Sequence, residues 1–323
     1  MTKANKTSLR RSLSHSSSRH IVWGIVAVIV LLLTLVLWQN IQQLRQQNNQ
    51  LRTQLTQADS QAAACVARDA WQAGTLKTFS ILTSDGMRDY SVYLPKSFTP
   101  TRYYPLIINY PGKGASVEGG FEQAHLDTLP VISAYPTQTI GTDGHTAWEG
   151  APYSSDANDI EFTIEILDKI QAQLCIDRHR IYATGMSNGG GMVSILSCKV
   201  SNRFAAYGIV SGAMYYPDGA CSPPEPTPLI TVHGGKDGSV PYEGSTTRHL
   251  PNISTWSAER ARDNGCEAEP TVTTLDALTT VSVWNHCENN ASIENIRFHD
   301  GGHFWSPQTT ELLWQFMSKH SLK

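Results

Sequence analysis

Hydrophobic and polar positions divide the chain into three stretches. From Ile21 to Trp38 all 18 residues are uncharged and most are large and apolar (IVWGIVAVIVLLLTLVLW). A helix of that length reaches about 27 Å, close to the hydrocarbon thickness of a bilayer. Trp23 and Trp38 stand near its two ends, where interfacial anchors sit. The pattern predicts one membrane-spanning helix. The apolar character then thins to Leu37, Ile41, Leu44, Leu51, Leu55, Ala58 and Ala62 on one heptad seam, with Asn48 at its polar position. That spacing suits a short parallel coiled coil, in which a buried Asn sets the register, and with it a homo-oligomer through residues 37–62. No charged pairs flank the seam, so a Gln-rich spacer is an equal reading of residues 39–64.

From Cys65 onward short apolar runs alternate with amphipathic ones. Thr78–Thr83 and Arg88–Leu94, parted by Ser84-Asp85-Gly86, predict a β-hairpin. Leu106–Tyr110, Pro130–Tyr135, Arg180–Thr184, Ala206–Val210, Leu229–His233, Thr280–Trp284 and Ile296–Phe298 read as strands. Helical spacing marks Asp156–Cys175, Asn188–Cys198, Ile253–Asn264 and Thr309–Lys319. Strands and helices in alternation imply an α/β domain: a mostly parallel central sheet covered by helices on both faces.

Charge adds an orientation. The whole chain balances 25 basic against 28 acidic residues. Before Cys65, however, Lys3, Lys6, Arg10, Arg11, Arg19, Arg45 and Arg52 face only Asp59, so residues 65–323 are strongly acidic. An acidic domain is a poor match for a phosphate backbone, and no nucleic-acid partner is expected. Lys3, Lys6, Arg10, Arg11 and Arg19 all precede the span, and no acid does. That predicts a single-pass membrane protein: residues 1–20 as a cytoplasmic tail, 21–38 as an uncleaved signal anchor, 39–64 as a stalk and 65–323 as an extracytoplasmic domain. A cleaved signal peptide, leaving a secreted domain, is the alternative; the long apolar run and the lack of a nearby A-x-A site speak against it. The six cysteines, Cys65, Cys175, Cys198, Cys221, Cys266 and Cys287, all fall in the outer domain, without C-x-x-C or zinc-ligand spacing. They read as three disulfides of an oxidising compartment. Cys266 with Cys287 is the most local pair, and the connectivity of the other four stays open. No metal and no cofactor are expected.

The sharpest chemical signal is Gly185-Met186-Ser187-Asn188-Gly189, directly between a strand pattern and a helix pattern. A strand-to-helix turn this tight leaves no room for side chains two before and two after the Ser, and it pushes the Ser hydroxyl into the open at a helix N-terminus. Ser187 is thus a candidate nucleophile, and the Asn188 N–H can face a developing oxyanion. Such an elbow calls for an acid and then a His later in the chain. Asp237 follows the strand pattern ending at His233, and His303 lies in the Gly-rich Asp300-Gly301-Gly302-His303 loop before the last helix. The carboxylate would fix the ring tautomer and the ring would carry the Ser proton. Asp218 and Asp263 remain rival acids; His299 and His286 remain rival bases, with His299 reading as structural. Trp148 and Trp305 are candidate walls for an aromatic or sugar-bearing substrate.

Arg180-Ile181-Tyr182-Ala183-Thr184-Gly185 with Ser187-Asn188-Gly189-Gly190-Gly191 resembles secreted feruloyl esterases of the polyhydroxybutyrate-depolymerase-like group of carbohydrate esterases. Leu174-Cys175-Ile176-Asp177, His233-Gly234 with Asp237, the stretch from Trp256 to Cys266, and Gly301-Gly302-His303 with Trp305 extend the resemblance over roughly residues 65–323. It implies an α/β-hydrolase fold, ester hydrolysis through an acyl-enzyme without a metal, and Ser187, Asp237 and His303 as the triad. The implied substrates are hydroxycinnamoyl esters of plant polysaccharide, such as feruloylated oligosaccharides. Acetylated xylan and polyhydroxybutyrate are the alternatives within the chemistry, and a non-catalytic glycan-binding surface protein is the alternative outside it. One position departs from the pattern. Tyr110-Pro111-Gly112-Lys113 stands where relatives usually show His-Gly, and Pro has no N–H, which moves the expected second oxyanion donor to Lys113.

Overall fold

The computed structural model describes residues 71–215 and 225–323, together with residues 34, 36–45, 47, 67, 221 and 223. The chain divides into two units, Met1–Ala64 and Cys65–Lys323. In the first, residues 36–45 are helical and exposed. Most of the expected span 21–38 and of the stalk 39–64 lies outside the described residues. Among the described residues no helix is long and apolar enough to cross a membrane.

The second unit is built on a 10-stranded sheet. In chain order its strands are β1 (Leu76–Thr83), β2 (Gly86–Tyr93), β3 (Tyr104–Tyr110), β4 (Ile132–Pro136), β7 (Ile176–Met186), β8 (Ala206–Val210), β9 (Leu229–Gly234), β10 (Thr271–Asp276), β11 (Thr279–Trp284) and β12 (Ile293–Phe298). A separate two-stranded hairpin pairs β5 (Thr139–Ile140) with β6 (Thr146–Ala147). The large sheet runs β1-β2-β4-β3-β7-β8-β9-β12-β11-β10. From β4 to β12 neighbouring strands are parallel, and antiparallel strands finish both edges. The central strands are buried on both faces, which is why they read as unbroken apolar runs rather than alternating ones.

Alternate residues of one strand feed two cores. Leu106, Ile108 and Tyr110 of β3 pack with Phe162, Ile166 and Ile170 of helix α2 (Asp159–Gln173), Met192 and Leu196 of α3 (Asn188–Lys199), and Ile253 and Trp256 of α4 (Ile253–Asp263). Ile107 points into the other core, with Ala124 of α1 (Val117–Ala124) and Leu313, Phe316 and Met317 of α5 (Pro307–Met317). Helices therefore cover both faces, as the strand–helix alternation implied.

Three elements differ from the sequence expectation. Helix α1 carries two glycines, poor helix formers, but Ser116 caps it by accepting from the Gly119 N–H at 3.0 Å, and Gly120 lies against Pro111 where a Cβ would come within 2.9 Å of the ring. β10 is exposed at every position, so no hydrophobic alternation marks it. The β5–β6 hairpin has two residues per strand, too short for any periodicity. Disulfides join Cys198 to Cys221 and Cys266 to Cys287, the latter as expected. Cys175 is also disulfide-bonded; Cys65, the remaining cysteine, lies outside the described residues.

Candidate active site

The carboxyl ends of β7, β9 and β12 meet at one edge of the sheet, where open α/β sheets gather their functional groups. β7 ends at Met186 and α3 begins at Asn188, so Ser187 alone makes the turn, at φ 58° and ψ −123°. A non-glycine residue is strained there. Three backbone bonds hold it: Ser187 N–H donates to Val210 O (3.0 Å), and Ser187 O accepts from the N–H of Gly191 (3.0 Å) and Ala213 (2.9 Å). The flanking glycines are dictated by the same crowding. A Cβ at Gly189 would lie 2.0 Å from the Tyr110 oxygen, and one at Gly185 would lie 2.6 Å from the Gly189 oxygen.

Asp237 leaves the end of β9, and His303 follows β12, its parallel neighbour. Their loops are stitched together by Gly235 N–H to Phe298 O (2.7 Å) and Lys236 N–H to Gly301 O (2.8 Å). His303 Nδ1 lies 2.8 Å from Asp237 Oδ2, which accepts its proton. The Asp237 side chain is 0 % exposed and that of His303 21 %, so the acid is shielded while the ring reaches the open side. Asp237 Oδ1 accepts from the N–H of Ser239 (2.8 Å) and Val240 (2.7 Å). Burial opposes its ionisation, but hydrogen bonds from His233, from His303 and from the Val240 N–H outweigh that cost. They hold the carboxyl well below the usual carboxylate range. The Ser187 hydroxyl makes no hydrogen bond to the His303 ring in this structure. Such catalytic bonds commonly tighten only around a substrate.

His233 is a participant that sequence reasoning left as part of a motif. It is buried, and its Nε2 lies 2.8 Å from Val240 O and 3.4 Å from Asp237 Oδ2. Two acceptors around one nitrogen require that nitrogen to carry the proton. The rival residues are engaged elsewhere: Asp263 with Arg260 (3.7 Å), His286 with Glu267 (2.7 Å) and His299 with the Thr280 hydroxyl (2.8 Å). Asp218 lies outside the described residues.

Loop 111–114 reaches Ser187: a Cβ on Gly112 would be 3.4 Å from its Cβ. The Lys113 ammonium pairs with Asp143 and sits 4.1 Å over the Tyr153 ring. Asn188 opens α3, so its N–H belongs to the first turn, which has no partner within the helix. Its side chain grips the backbone of Trp148, with Oδ1 accepting from the Trp148 N–H at 2.7 Å.

Both tryptophans are buried, against the expectation that they wall a pocket. Trp148 is 0 % exposed, meets Tyr110 edge-on at 5.1 Å and donates its indole N–H to Pro111 O at 2.8 Å. Trp305 is 8 % exposed and donates to the Thr310 hydroxyl at 2.8 Å, bracing the start of α5. Both indoles are anchored by polar partners inside the protein. A cavity of about 940 Å³, with none of Ser187, Asp237 and His303 in its lining, is bounded in part by Ala151, Met214, Tyr215, Leu250 and Trp256. Tyr215 follows the Ala213 that holds Ser187, and its ring meets Tyr153 edge-on at 6.3 Å. No motif marks this tyrosine pair, which only the fold brings together. Among the described residues no group of His, Cys, Asp and Glu is arranged to hold a metal.

The mostly parallel sheet covered on both faces gives an α/β-hydrolase-like fold, which presents a strained Ser at a strand–helix elbow beside a buried Asp bonded to a His. Residues 89–222 match the family model described as Esterase PHB depolymerase. The chain is 28 % identical to feruloyl esterase B of Piromyces equi over 255 residues, which are 72 % of this chain and 45 % of that protein. It is 24 % identical over 239 residues to a bifunctional acetylxylan esterase/xylanase of Neocallimastix patriciarum, covering 72 % of this chain and 33 % of the relative. The chain thus spans less than half the length of these two relatives. Among solved structures it is similar to an acetyl xylan esterase from Aspergillus awamori, with a TM-score of 0.58 and 13 % identity over 76 % of this chain and 99 % of the other, a likeness of fold. The domain has an α/β-hydrolase-like fold and is similar in sequence to the polyhydroxybutyrate-depolymerase-like and feruloyl carbohydrate esterases.

Proposed function

We propose that the domain after Cys65 hydrolyses carboxylic esters through an acyl-serine, with hydroxycinnamoyl esters of plant polysaccharide as substrates. The observation that carries this reading is the Asp237–His303 hydrogen bond at the sheet edge that also presents the strained Ser187. Ser187 Oγ attacks the ester carbonyl while its proton passes to His303 Nε2, and Asp237 holds the Nδ1 proton and stabilises the imidazolium. The N–H groups of Asn188 and Lys113 take the negative oxygen of the tetrahedral intermediate. The imidazolium returns its proton to the departing alcohol. Water then adds to the acyl group with His303 again as base, and the free acid leaves.

The relatives named feruloyl esterases support an aromatic acyl group, as does the Tyr153–Tyr215 pair beside the cavity. The relatives named acetylxylan esterases support acetylated xylan as the second reading. The test is turnover of methyl ferulate beside p-nitrophenyl acetate by the full chain, with Ser187→Ala as control. Ferulate release that the substitution abolishes supports the first reading, and acetate release alone supports the second. A folded chain inert on both would be the glycan-binding alternative. We further propose that residues 21–38 tether the domain outside a membrane on the 39–64 stalk, which joins copies through its heptad seam. Recovery of the chain from salt-washed membranes, with the domain released by external protease, tests the tether. Recovery in the soluble fraction would count against it. Sedimentation of the full chain in detergent tests the assembly, and a monomeric mass would exclude it.

A further inference from the structure

The β5–β6 hairpin is too small to add to either core, yet its open end carries two side chains aimed at one target. Gln138 precedes β5 and Trp148 follows β6, and the register Thr139 with Ala147 and Ile140 with Thr146 sets them side by side. Trp148 Nε1 donates to Pro111 O at 2.8 Å. Gln138 Nε2 donates to two successive carbonyls, Pro111 O at 3.3 Å and Gly112 O at 3.0 Å. Carbonyls only accept, so the amide nitrogen must face them. The amide oxygen accepts from the Thr146 hydroxyl at 2.9 Å, which locks that orientation.

A trans peptide points its N–H opposite to its C=O. Holding Pro111 O therefore aims the Gly112 N–H, and holding Gly112 O aims the Lys113 N–H, away from the hairpin. Neither N–H has an acceptor among the described residues. Gly112 is also the residue that touches Ser187, with its Cβ position 4.0 Å from the nucleophilic Oγ. Pro111 has no N–H of its own through which the loop could be oriented.

We infer that the β5–β6 hairpin is a peptide-plane clamp for the oxyanion loop, with Gln138 as its positioning residue. The inference rests on the esterase reading above. The clamp acts on the transition state, when charge collects on the carbonyl oxygen, and leaves ground-state binding nearly untouched. One well-placed oxyanion donor is worth roughly 10²–10³ in kcat. Misaiming it without removing it should forfeit about 10- to 100-fold.

The test compares the wild-type full chain with Gln138→Leu and Thr146→Val on p-nitrophenyl acetate, with Ser187→Ala as control. Both variants should lower kcat, Thr146→Val the less, while KM stays within about twofold. Inhibition by phenylboronic acid, whose tetrahedral serine adduct places an oxygen in the hole, should weaken in proportion to kcat. A merely structural role would lower thermal stability without linking kcat to inhibitor affinity. Should Gln138→Leu fail to fold, Thr146→Val decides, since it removes only the hydroxyl that orients the amide. An active wild type with folded variants within twofold in kcat overturns the clamp alone. A wild type no more active than Ser187→Ala overturns the esterase reading and the clamp with it.

Discussion

Replacing Asp237 by Asn leaves the shape of the site intact and should still cost nearly all of its activity. Two backbone donors, Ser239 N–H at 2.8 Å and Val240 N–H at 2.7 Å, claim Oδ1. The amide oxygen of Asp237→Asn must stay on that side, because its nitrogen would set hydrogens against hydrogens there. The nitrogen is then forced toward His303 Nδ1, 2.8 Å from the other carboxylate oxygen. Two N–H donors cannot pair, so the neutral ring moves its proton to Nε2. That nitrogen can then no longer accept the Ser187 proton. The His233 Nε2–H, 3.4 Å from the same oxygen, loses a second acceptor. The wrong tautomer costs about 10⁴ in kcat in a Ser–His–Asp site, or about 5 kcal/mol of transition-state stabilisation. The assay is kcat on p-nitrophenyl acetate, with circular dichroism confirming the fold. A folded Asp237→Asn chain that kept more than about a tenth of wild-type kcat would refute the reasoning, because the ring tautomer would then not be set by Asp237.

Gly189→Ala should prevent soluble expression or abolish cooperative melting, since its Cβ would lie 2.0 Å from the Tyr110 oxygen, whereas Gly238→Ala, with nothing within 4 Å, should melt like the wild type. Equal melting temperatures for the two would refute the packing of the elbow. His320 is pushed down to about 4, chiefly by burial and secondarily by Lys319, and Asp237 is also held below its ordinary range. Both groups bind protons more weakly folded than unfolded, so the stability they supply is present above their unfolded values and is lost as pH falls through the folded ones. For His320 alone the loss between pH 7 and 4.5 comes to about 2 kcal/mol. Urea titrations of the wild type and His320→Gln at those two pH values should differ by that amount, and parallel losses would exclude the assignment. Substituting both Cys266 and Cys287 with Ala opens a bridge across 21 residues of sequence. Loop entropy then sets a loss of about 3 kcal/mol in unfolding free energy, and a double variant as stable as the wild type in urea would exclude it.

The parts of the site legible in the sequence are those whose constraints act between near neighbours. Gly185, Ser187 and Gly189 announce an elbow because their crowding arises within one turn, against the strand alongside. The buried parallel strands show as apolar runs for the same local reason: each of their residues needs cover on both faces. The candidates Ser187, Asp237 and His303 were readable as well, the last two from loops that follow strand patterns.

What the tertiary structure alone decided are the partnerships between distant segments. Asp237 and His303 are 66 residues apart, and their bond selects them over rivals already paired elsewhere. Trp148 and Asn188 are 40 residues apart, and their contact turns an apparent substrate wall into a buried brace. An indole in a sequence carries equal signs of pocket and core, because both environments reward its apolar area and its single donor. Only burial separates the two. The β5–β6 hairpin has no periodicity of its own, and its contacts with the 111–114 loop, among them the two carbonyls its flanking side chains hold, arise only in the fold. Sequence determines where a chain can turn and which faces it must hide, because those demands are settled within a few residues. Which side chains then meet depends on strand order and loop closure, which no local pattern encodes.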